Sequence, residues 1–233
     1  MYIRKDSLWH FQHLDPPMVF DELEVGYWPT GGRFYQTPEG DKFPSVTTIL
    51  GLGTDQSWKD EWVKRVGQAE ADRVSRQATT RGTAVHELIE HYMNNNPDWQ
   101  KGAMPANVMS VKKVLPVLEK NVSLIYANEA PLWSSFLRTA GRVDCIGVWN
   151  GILSIIDFKT SKRQKSRGDI TNYFMQTAMY AYMFYERKGI PIPQLVIVIT
   201  VDDGPSQVFI EKTKLWLPEA IKIRKLVEEK HGL

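Results

Sequence analysis

Residues 141–160 read GRVDCIGVWNGILSIIDFKT, two apolar runs rich in β-branched residues on either side of Asn150-Gly151. An Asn-Gly pair between such runs is the strongest short-range signal for a β-hairpin with a two-residue turn. The turn sets the register of the two strands, and counting outward from it places Asp144 directly opposite Asp157 without a bulge. The sequence therefore predicts that two carboxylates face each other across the hairpin.

Two carboxylates opposed on one face of a sheet repel each other, because their Cβ atoms are only roughly 4.5 to 5.5 Å apart. A hard divalent cation such as Mg²⁺ or Mn²⁺ compensates this repulsion. Lys159 shares the face of Asp157, where its amine can position or deprotonate a water or neutralise developing charge, while Phe158 and Ile156 point into packing. An Asp-x-Lys alone is also common as a surface ion pair. Its shared register with Asp144 favours an active site.

The hairpin and its surroundings resemble the PD-(D/E)xK nuclease superfamily in its RecB-like branch. Its motifs occur here in order, as Gly-x-x-x-His at 82–86, Gly-x-x-Asp at 141–144, Asp-x-Lys at 157–159 and Gln-x-x-x-Tyr at 176–180. Residues 43–50, FPSVTTIL, are similar to the Pro-Ser-Val-Thr segment of mitochondrial and phage exonucleases of this branch. The motifs cover most of the chain from residue 44 to residue 180.

The resemblance implies a restriction-endonuclease-like α/β fold, with a mixed central sheet that contains the antiparallel hairpin, flanking helices and a helical region before it. It implies a metal-dependent DNA exonuclease that acts on free ends, preferentially of single-stranded DNA, in replication, recombination or repair. The implied Mg²⁺ or Mn²⁺ ligands are His86, Asp144, Asp157 and the carbonyl of Phe158. Lys159 would serve the attacking water. Further residues assigned to support or DNA contact are Gln176, Tyr180, Glu129, Arg81, Ser45, Thr47 and Thr160.

Two departures from the family pattern narrow the resemblance. Relatives with an iron–sulfur cluster need four cysteines, and this chain has only Cys145, so that cluster is excluded. Val143-Asp144 replaces the Pro-Asp of the superfamily, as is usual in the RecB-like branch, and leaves the role of the Asp intact.

A zinc hydrolase is a competing interpretation of the helix around His86, since Glu87, Glu90 and His91 are close by. A zincin needs its second His four residues after the first, and His91 is five residues after His86, around the helix. The spacing argues against zinc. A hydrogen-bonded, half-buried His is the structural alternative, and the accompanying motifs favour metal ligation by His86.

Composition sets broader limits. The chain has 233 residues, of which 42% are hydrophobic and 24% charged, as is ordinary for one globular domain. We expect this domain to span residues 1–233. It would consist of an arm at 1–43, a mostly helical part at 44–120, and the core sheet with its flanking helices at 121–233. Residues 1–6 lack the apolar core of a secretory signal, and no run approaches the ~20 apolar residues of a membrane span. We therefore expect cytoplasmic residence, in a host cell if the chain is phage-encoded.

The net charge of +2 is too small to indicate a nucleic-acid partner by itself. Residues 159–167, KTSKRQKSR, are nevertheless basic without a single acid. In isolation such a run is a solvated loop, but beside a metal site it is a candidate rim for DNA phosphates. The candidate contacts are Lys162, Arg163, Lys165 and Arg167.

Elements follow from periodicity and from turn signals. The arm is expected to be irregular, with a short hairpin turning at residues 38–41. The predicted helices are one capped by Ser45, one from Ser57 toward Arg76, one capped by Thr79 or Thr80, one at 106–120, one at 173–188 and one at 217–229. The predicted strands are 122–128, 132–137, the hairpin, 195–201 and 208–211, with Glu129 between the first two.

Two other functions stay open. One is a structure-selective endonuclease, or an exonuclease on duplex ends, that uses the same site. The other is a DNA-binding relative that has lost its chemistry, against which the retention of every charged site residue argues. Sequence-specific recognition has no support, because no helix-turn-helix or zinc-finger spacing occurs.

Overall fold

The fold is taken from a computed structural model that describes residues 9–29 and 31–233. The first eight residues of the predicted arm, including the 1–6 segment judged not to be a secretory signal, lie outside the described residues. None of the helices in the described part of the chain is both long and apolar enough to cross a membrane.

The described residues form three strands, then five helices, then three strands, and end with a helix, two strands and a last helix. The strands are β1 Glu24–Tyr27, β2 Arg33–Gln36, β3 Lys42–Pro44, β4 Val122–Ser134, β5 Thr139–Trp149, β6 Ile152–Ser161, β7 Gln194–Val201 and β8 Gln207–Lys212. The helices are α1 Val46–Gly53, α2 Ser57–Val66, α3 Gln68–Met93, α4 Pro105–Lys112, α5 Leu115–Asn121, α6 Thr171–Lys188 and α7 Thr213–His231, with a short 3₁₀ turn at Arg167–Ile170.

The central sheet has five strands in the order β4-β5-β6-β7-β8. β4, β5 and β6 are antiparallel neighbours, whereas β6 and β7 are parallel and are joined through α6, and β8 returns antiparallel to β7. Helices cover both faces, so the predicted mixed α/β sheet with a restriction-endonuclease-like core is confirmed. A smaller antiparallel sheet, β1-β2-β3, precedes it, and its β2–β3 turn confirms the hairpin predicted at residues 38–41.

The predicted hairpin register is confirmed close to the turn. Pairing runs from Trp149 and Ile152 to Cys145 and Ile156. Asn150 and Gly151 have φ values of 49° and 81°, and positive φ at both central residues is typical of the type I′ turn that matches the twist of the strands. The turn therefore fixes which residues of β5 and β6 lie opposite each other.

The two faces of β6 contact different parts of the core. Ile156 and Phe158 pack with Val85 and Leu88 of α3. Ile155 packs with α6 and α7 instead. As predicted, Asp157 and Lys159 are on the face opposite to Phe158, so the Asp-x-Lys motif lies between the α3 layer and the α6 layer.

The predicted helix start at Ser57 is confirmed, but the boundary predicted near residues 76–80 is wrong. α2 ends at Val66, before Gly67, which has φ 85° and ψ 152°, and α3 then runs without a break from Gln68 to Met93. The expected helix start at Thr79 or Thr80 is absent, because a hydroxyl side chain in mid-helix can face solvent and does not break the helix. The boundary between the two helices is instead Gly67, whose backbone conformation other residues avoid.

Two further boundaries differ from prediction. The single helix expected at 106–120 is two helices, α4 and α5, and Pro116 lies in the first turn of α5, where its missing N–H costs nothing. The two strands expected at 122–128 and 132–137 are one strand, β4. Glu129 is inside it, in a left-handed conformation with φ 49°, and not in a loop.

The turn can be tested with Gly151→Ala. A Cβ in the left-handed conformation is unfavourable, so we expect a loss of about 1 kcal/mol in the free energy of unfolding, measured in urea. Gly51→Ala is the matched control, because Gly51 is helical with open space around the missing Cβ. That change should stabilise the protein by up to about 1 kcal/mol. Equal effects of both changes would contradict the assigned turn.

Candidate active site

A cavity of about 540 Å³ lies where α3 crosses the β4–β5 pair. His86 of α3, Glu129 of β4 and Asp144 of β5 line it, and one potential ligand atom from each lies within 4.8 Å of the others. Arg33 and Arg142 line the same cavity. The predicted site residues from three distant parts of the sequence are thus brought to one place.

His86 is held by the carboxylate of Asp144. Its Nδ1 lies 3.4 Å from Asp144 Oδ2. Burial opposes protonation of the imidazole, but the charge of Asp144 outweighs it and raises the pKa of His86 above its ordinary value. The pair therefore favours the charged forms of both groups more than either would alone.

Asp144 also takes part in the hydrogen bonding of the hairpin. The backbone N–H of Phe158 donates to Asp144 Oδ2 at 2.8 Å, so a side chain accepts the bond at the point where the regular pairing of β5 and β6 ends. The last regular pair of the hairpin is Cys145 and Ile156. Continuing the same register by one residue places Asp144 opposite Asp157, as predicted. Burial opposes ionisation, yet His86, Lys159 and this N–H together lower the pKa of Asp144.

Asp157 is fully buried and contacts one cation. Lys159 Nζ lies 2.6 Å from Asp157 Oδ2, whereas Asp157 Oδ1 has no hydrogen-bond partner among the described residues. Burial, with a contribution from Asp144, raises the pKa of Asp157 to about 6. A buried carboxylate oxygen without a partner is costly, and a bound cation would relieve that cost.

The amine of Lys159 is enclosed between the carboxylates and an aromatic ring. Burial would lower the pKa of Lys159, but Asp157 and Asp144 outweigh burial and raise it. Its Nζ is also 5.2 Å from the ring centroid of Tyr173, a distance suited to a cation–π contact. The amine is therefore charged at neutral pH and directed at the carboxylates.

Glu129 is held in its unusual conformation by Arg142. The guanidinium donates to the carbonyl oxygen of Glu129 at 2.6 Å and to Glu22 at 2.8 Å. Because Asn128 pairs with Cys145 and Ala130 with Val143, Glu129 falls opposite Asp144. Burial, then the neighbouring charges of Asp144 and Glu90, raise the pKa of Glu129 to about 7.

The donor atoms fit a hard divalent cation. Carboxylate oxygens suit Mg²⁺ and Mn²⁺, and an imidazole nitrogen is an acceptable partner. His86, Glu129 and Asp144 form the group of mutually close donors, and Asp157 lies outside that group. The unpartnered Oδ1 of Asp157 is a second observation that points to a cation here.

Tyr180 accounts for the glycine of the Gly-x-x-Asp motif. A Cβ on Gly141 would lie 2.7 Å from Tyr180 Oη, so only glycine leaves room for this ring. Gln176 lies beside the same hydroxyl. Burial, followed by the charge of Asp144, raises the pKa of Tyr180, which keeps it a neutral hydrogen-bond donor. The two motifs are therefore joined by direct packing.

Three of the predicted supporting residues have structural contacts. Arg81 is bound to Asp202, with its Nη1 2.7 Å from Asp202 Oδ2, which fastens α3 to the β7–β8 turn. Ser45 is buried and caps α1 by accepting from the N–H of Thr48, as predicted for a helix start. Thr47 contacts the Ser45 hydroxyl. The side chains of these three residues therefore bind to other groups of the protein.

The predicted basic run is divided by its contacts. Arg167 is paired with Glu211 and lies over the ring of Trp216, and the backbone of Lys165 is bonded to Gln207. Lys162 and Arg163 are exposed just beyond the end of β6. Thr160 faces α3, 3.9 Å from where Gly82 would carry a Cβ.

Two residues beside the site, Arg142 and Tyr173, have no indication in the sequence motifs. Glu90, which lines the cavity, is interpreted from the sequence only as part of a zinc motif. The i and i+4 spacing of His86 and Glu90 was a usable signal. Arg142 lies inside Gly-x-x-Asp, yet nothing in the motif indicates that it clamps a neighbouring strand.

No protein-family model matches the chain. The chain is 24% identical over 213 residues to mitochondrial genome maintenance exonuclease 1 of Mus musculus, a match that includes 83% of this chain and 61% of that protein. It thus spans about three fifths of the length of this relative. The match confirms the relationship to RecB-like PD-(D/E)xK nucleases that the motifs predict.

A crystal structure of a candidate exonuclease from Eubacterium rectale is also similar, with a TM-score of 0.47 and 14% identity over 64% of this chain and 65% of that chain.

The charge of Glu129 gives a pH-dependent prediction. Its pKa in the folded protein, about 7, lies above the ordinary 4.5, so ionisation destabilises the metal-free fold above pH 7 and has no such cost below pH 4.5. Glu129→Gln should raise the free energy of unfolding at pH 8 in chelator by about 1 to 2 kcal/mol, allowing for solvent screening, and by much less at pH 5. A gain independent of pH would contradict the assignment.

The contact between Gly141 and Tyr180 can be tested by a double-mutant cycle. Gly141→Ala should lower the free energy of unfolding by about 1 to 3 kcal/mol, because the new methyl group meets a packed ring. Tyr180→Phe removes the nearest atom, so the double variant should recover part of the loss. Strictly additive effects, measured by urea unfolding, would show that the two residues do not interact.

Proposed function

We propose that the chain is a metal-dependent DNA exonuclease that hydrolyses phosphodiester bonds from free DNA ends, preferentially single-stranded. The observation that carries this proposal is the buried Asp157 and Lys159 pair next to Asp144 and His86. The related mouse protein is named as an exonuclease, which supports the same reaction class. The site's role in replication, recombination or repair is part of the proposal.

The residues suited to hold Mg²⁺ or Mn²⁺ are His86, Asp144, Asp157 and the carbonyl of Phe158, with Glu129 beside them. When bound, such an ion supplies Lewis-acid stabilisation of a phosphoryl oxygen and lowers the pKa of a coordinated water. The carboxylates that hold it repel one another when it is absent, so affinity for the ion is built into the electrostatics of the sheet.

Lys159 acts at the attacking water. Its charged amine, held by Asp157, can donate a hydrogen bond that orients the water's lone pair toward phosphorus and can neutralise charge that develops on the phosphoryl oxygens. A charged amine is an electrostatic and positioning group, so the water's proton leaves to solvent or to a carboxylate. Gln176 and Tyr180 orient the site through the ring packed against Gly141.

DNA approaches by way of the exposed cations. Lys162 and Arg163 lie just past the catalytic strand and can contact phosphates without reading sequence. Lys165 and Arg167, which are tied to β8, form the outer part of this rim. Arg81 holds the nearby β7–β8 turn in place.

The proposal is tested by digestion of DNA labelled at one end, single- or double-stranded, with Mg²⁺ and with chelator. Wild type should degrade linear single strands in Mg²⁺ and leave circular single strands intact. Cutting of the circles would instead support the endonuclease alternative. Degradation that persists in chelator would contradict the metal requirement.

Lys159→Ala should abolish cleavage, with a loss of at least about a hundred-fold, while DNA binding in chelator changes little. Lys162→Ala is the matched control, because it removes an exposed amine three residues away and should weaken binding modestly without abolishing cleavage. Asp144→Asn should reduce both Mn²⁺ affinity by calorimetry and the cleavage rate. Full activity of Lys159→Ala, or an unchanged Mn²⁺ titration of Asp144→Asn, would overturn the mechanism.

A further inference from the structure

α2 carries an aromatic face that the protein does not bury. None of its ten residues is buried. Trp58 is 62% exposed and Trp62, one helical turn later, is half-buried on the same side. Two tryptophans on an exposed helix represent a large apolar area left in contact with water.

The two rings line a groove of about 620 Å³ between α2 and the first half of α3. Val74 and Ala78 form its floor on α3, and Glu61 and Arg65 of α2 line its side. Arg65 has no ion-pair partner among the described residues, so its charge is available to an anionic ligand. Flat apolar rings beside a free guanidinium are what unstacked nucleobases and their phosphates require.

The groove and the cavity of the candidate active site are both lined by α3, the groove by its first half and the cavity by its second half. Val74, Ala78, Gly82 and His86 follow each other at intervals of four residues, which places them along one ridge of the helix. Gly82 has no side chain, and a Cβ there would meet only Thr160, at 3.9 Å. From Ala78 to His86 the helix rises about 12 Å. A strand that leaves the site along this ridge reaches the groove.

The chain contacts the surroundings of the catalytic strand before α2 and again within α3. Before α2, Asn172 of α6 donates to Thr54 Oγ1 at 3.3 Å, next to Tyr173, which contacts Lys159. Within α3, a Cβ on Gly82 would lie 3.9 Å from Thr160 Oγ1 of β6. The helix whose first half forms the floor of the groove is therefore packed against the strand that carries Lys159.

We propose that Trp58 and Trp62 form a stacking site for bases of a single-stranded nucleic acid whose end lies in the active site. This inference rests on the proposed function and adds a substrate-binding site to it. The site would hold the strand through base faces, so it would act on any sequence and would discriminate against duplex, in which base faces are already stacked.

The test is the affinity of a labelled 12-nucleotide thymidine oligomer, measured by fluorescence anisotropy in chelator so that cleavage does not intervene. Trp58→Ala and Trp62→Ala should each raise Kd about ten-fold, and Trp58→Phe, which keeps an aromatic face, should stay near wild type. Trp9→Ala is the matched control, because Trp9 is 46% exposed and packs on Phe11 at the other end of α3. Its Kd should be unchanged.

With Mg²⁺, the tryptophan variants should show a raised KM on the 12-mer and an unchanged kcat on a dinucleotide too short to reach the groove. Unchanged Kd in both variants, or an equal loss in Trp9→Ala, would overturn the inference. Reduced self-association in sedimentation with unchanged DNA affinity would identify a protein-docking face and would also overturn it. Absence of any cleavage by wild type would remove the proposed function, while the anisotropy would still report base binding.

Discussion

The arrangement of the site depends on electrostatic repulsion within one sheet. Asp144 has Glu129 opposite it on one neighbouring strand and Asp157 next in register on the other. Three acids across adjacent strands oppose the pairing that the hairpin and β4 otherwise favour. The fold offsets this with cations, since His86 lies against Asp144 and Lys159 against Asp157, and with a raised pKa that lets Glu129 and Asp157 take up protons.

This balance explains why so many other features converge on the same place. α3 brings the imidazole, the N–H of Phe158 bonds to a side chain instead of a carbonyl, and Arg142 holds Glu129 in a left-handed conformation inside a strand. Each of these is locally unfavourable or unusual. Departures from regular structure concentrate at functional sites because the surrounding fold can stabilise them.

The sequence predicts the parts of this site that local chemistry encodes. Asn150-Gly151 specifies a turn, and period-two alternation specifies which face Lys159 shares, so both were accessible without coordinates. The left-handed Glu129 was not, because its conformation depends on Arg142, which reaches it from the neighbouring strand. The break at Gly67 was missed for a different reason, since threonines at 79 and 80 offered a stronger cap signal than one glycine between polar residues. The ion pairs of Arg81 and Arg167 were also not predictable. Their partners lie on β7–β8, and an ion pair between distant parts of the chain produces no periodic pattern in the sequence.

The length of α3 would have a consequence for the products of the proposed nuclease. One uninterrupted helix of 26 residues carries both His86 and the floor of the Trp58 groove, and a straight helix fixes the separation between points on it. From Val74 to His86 that separation is about 18 Å along the axis. If a base is held in the groove while phosphorus is attacked beside His86, the helix serves as a ruler. The size of the fragments would then be a property of helix geometry, largely independent of DNA sequence, and a one-residue insertion in α3 would change it.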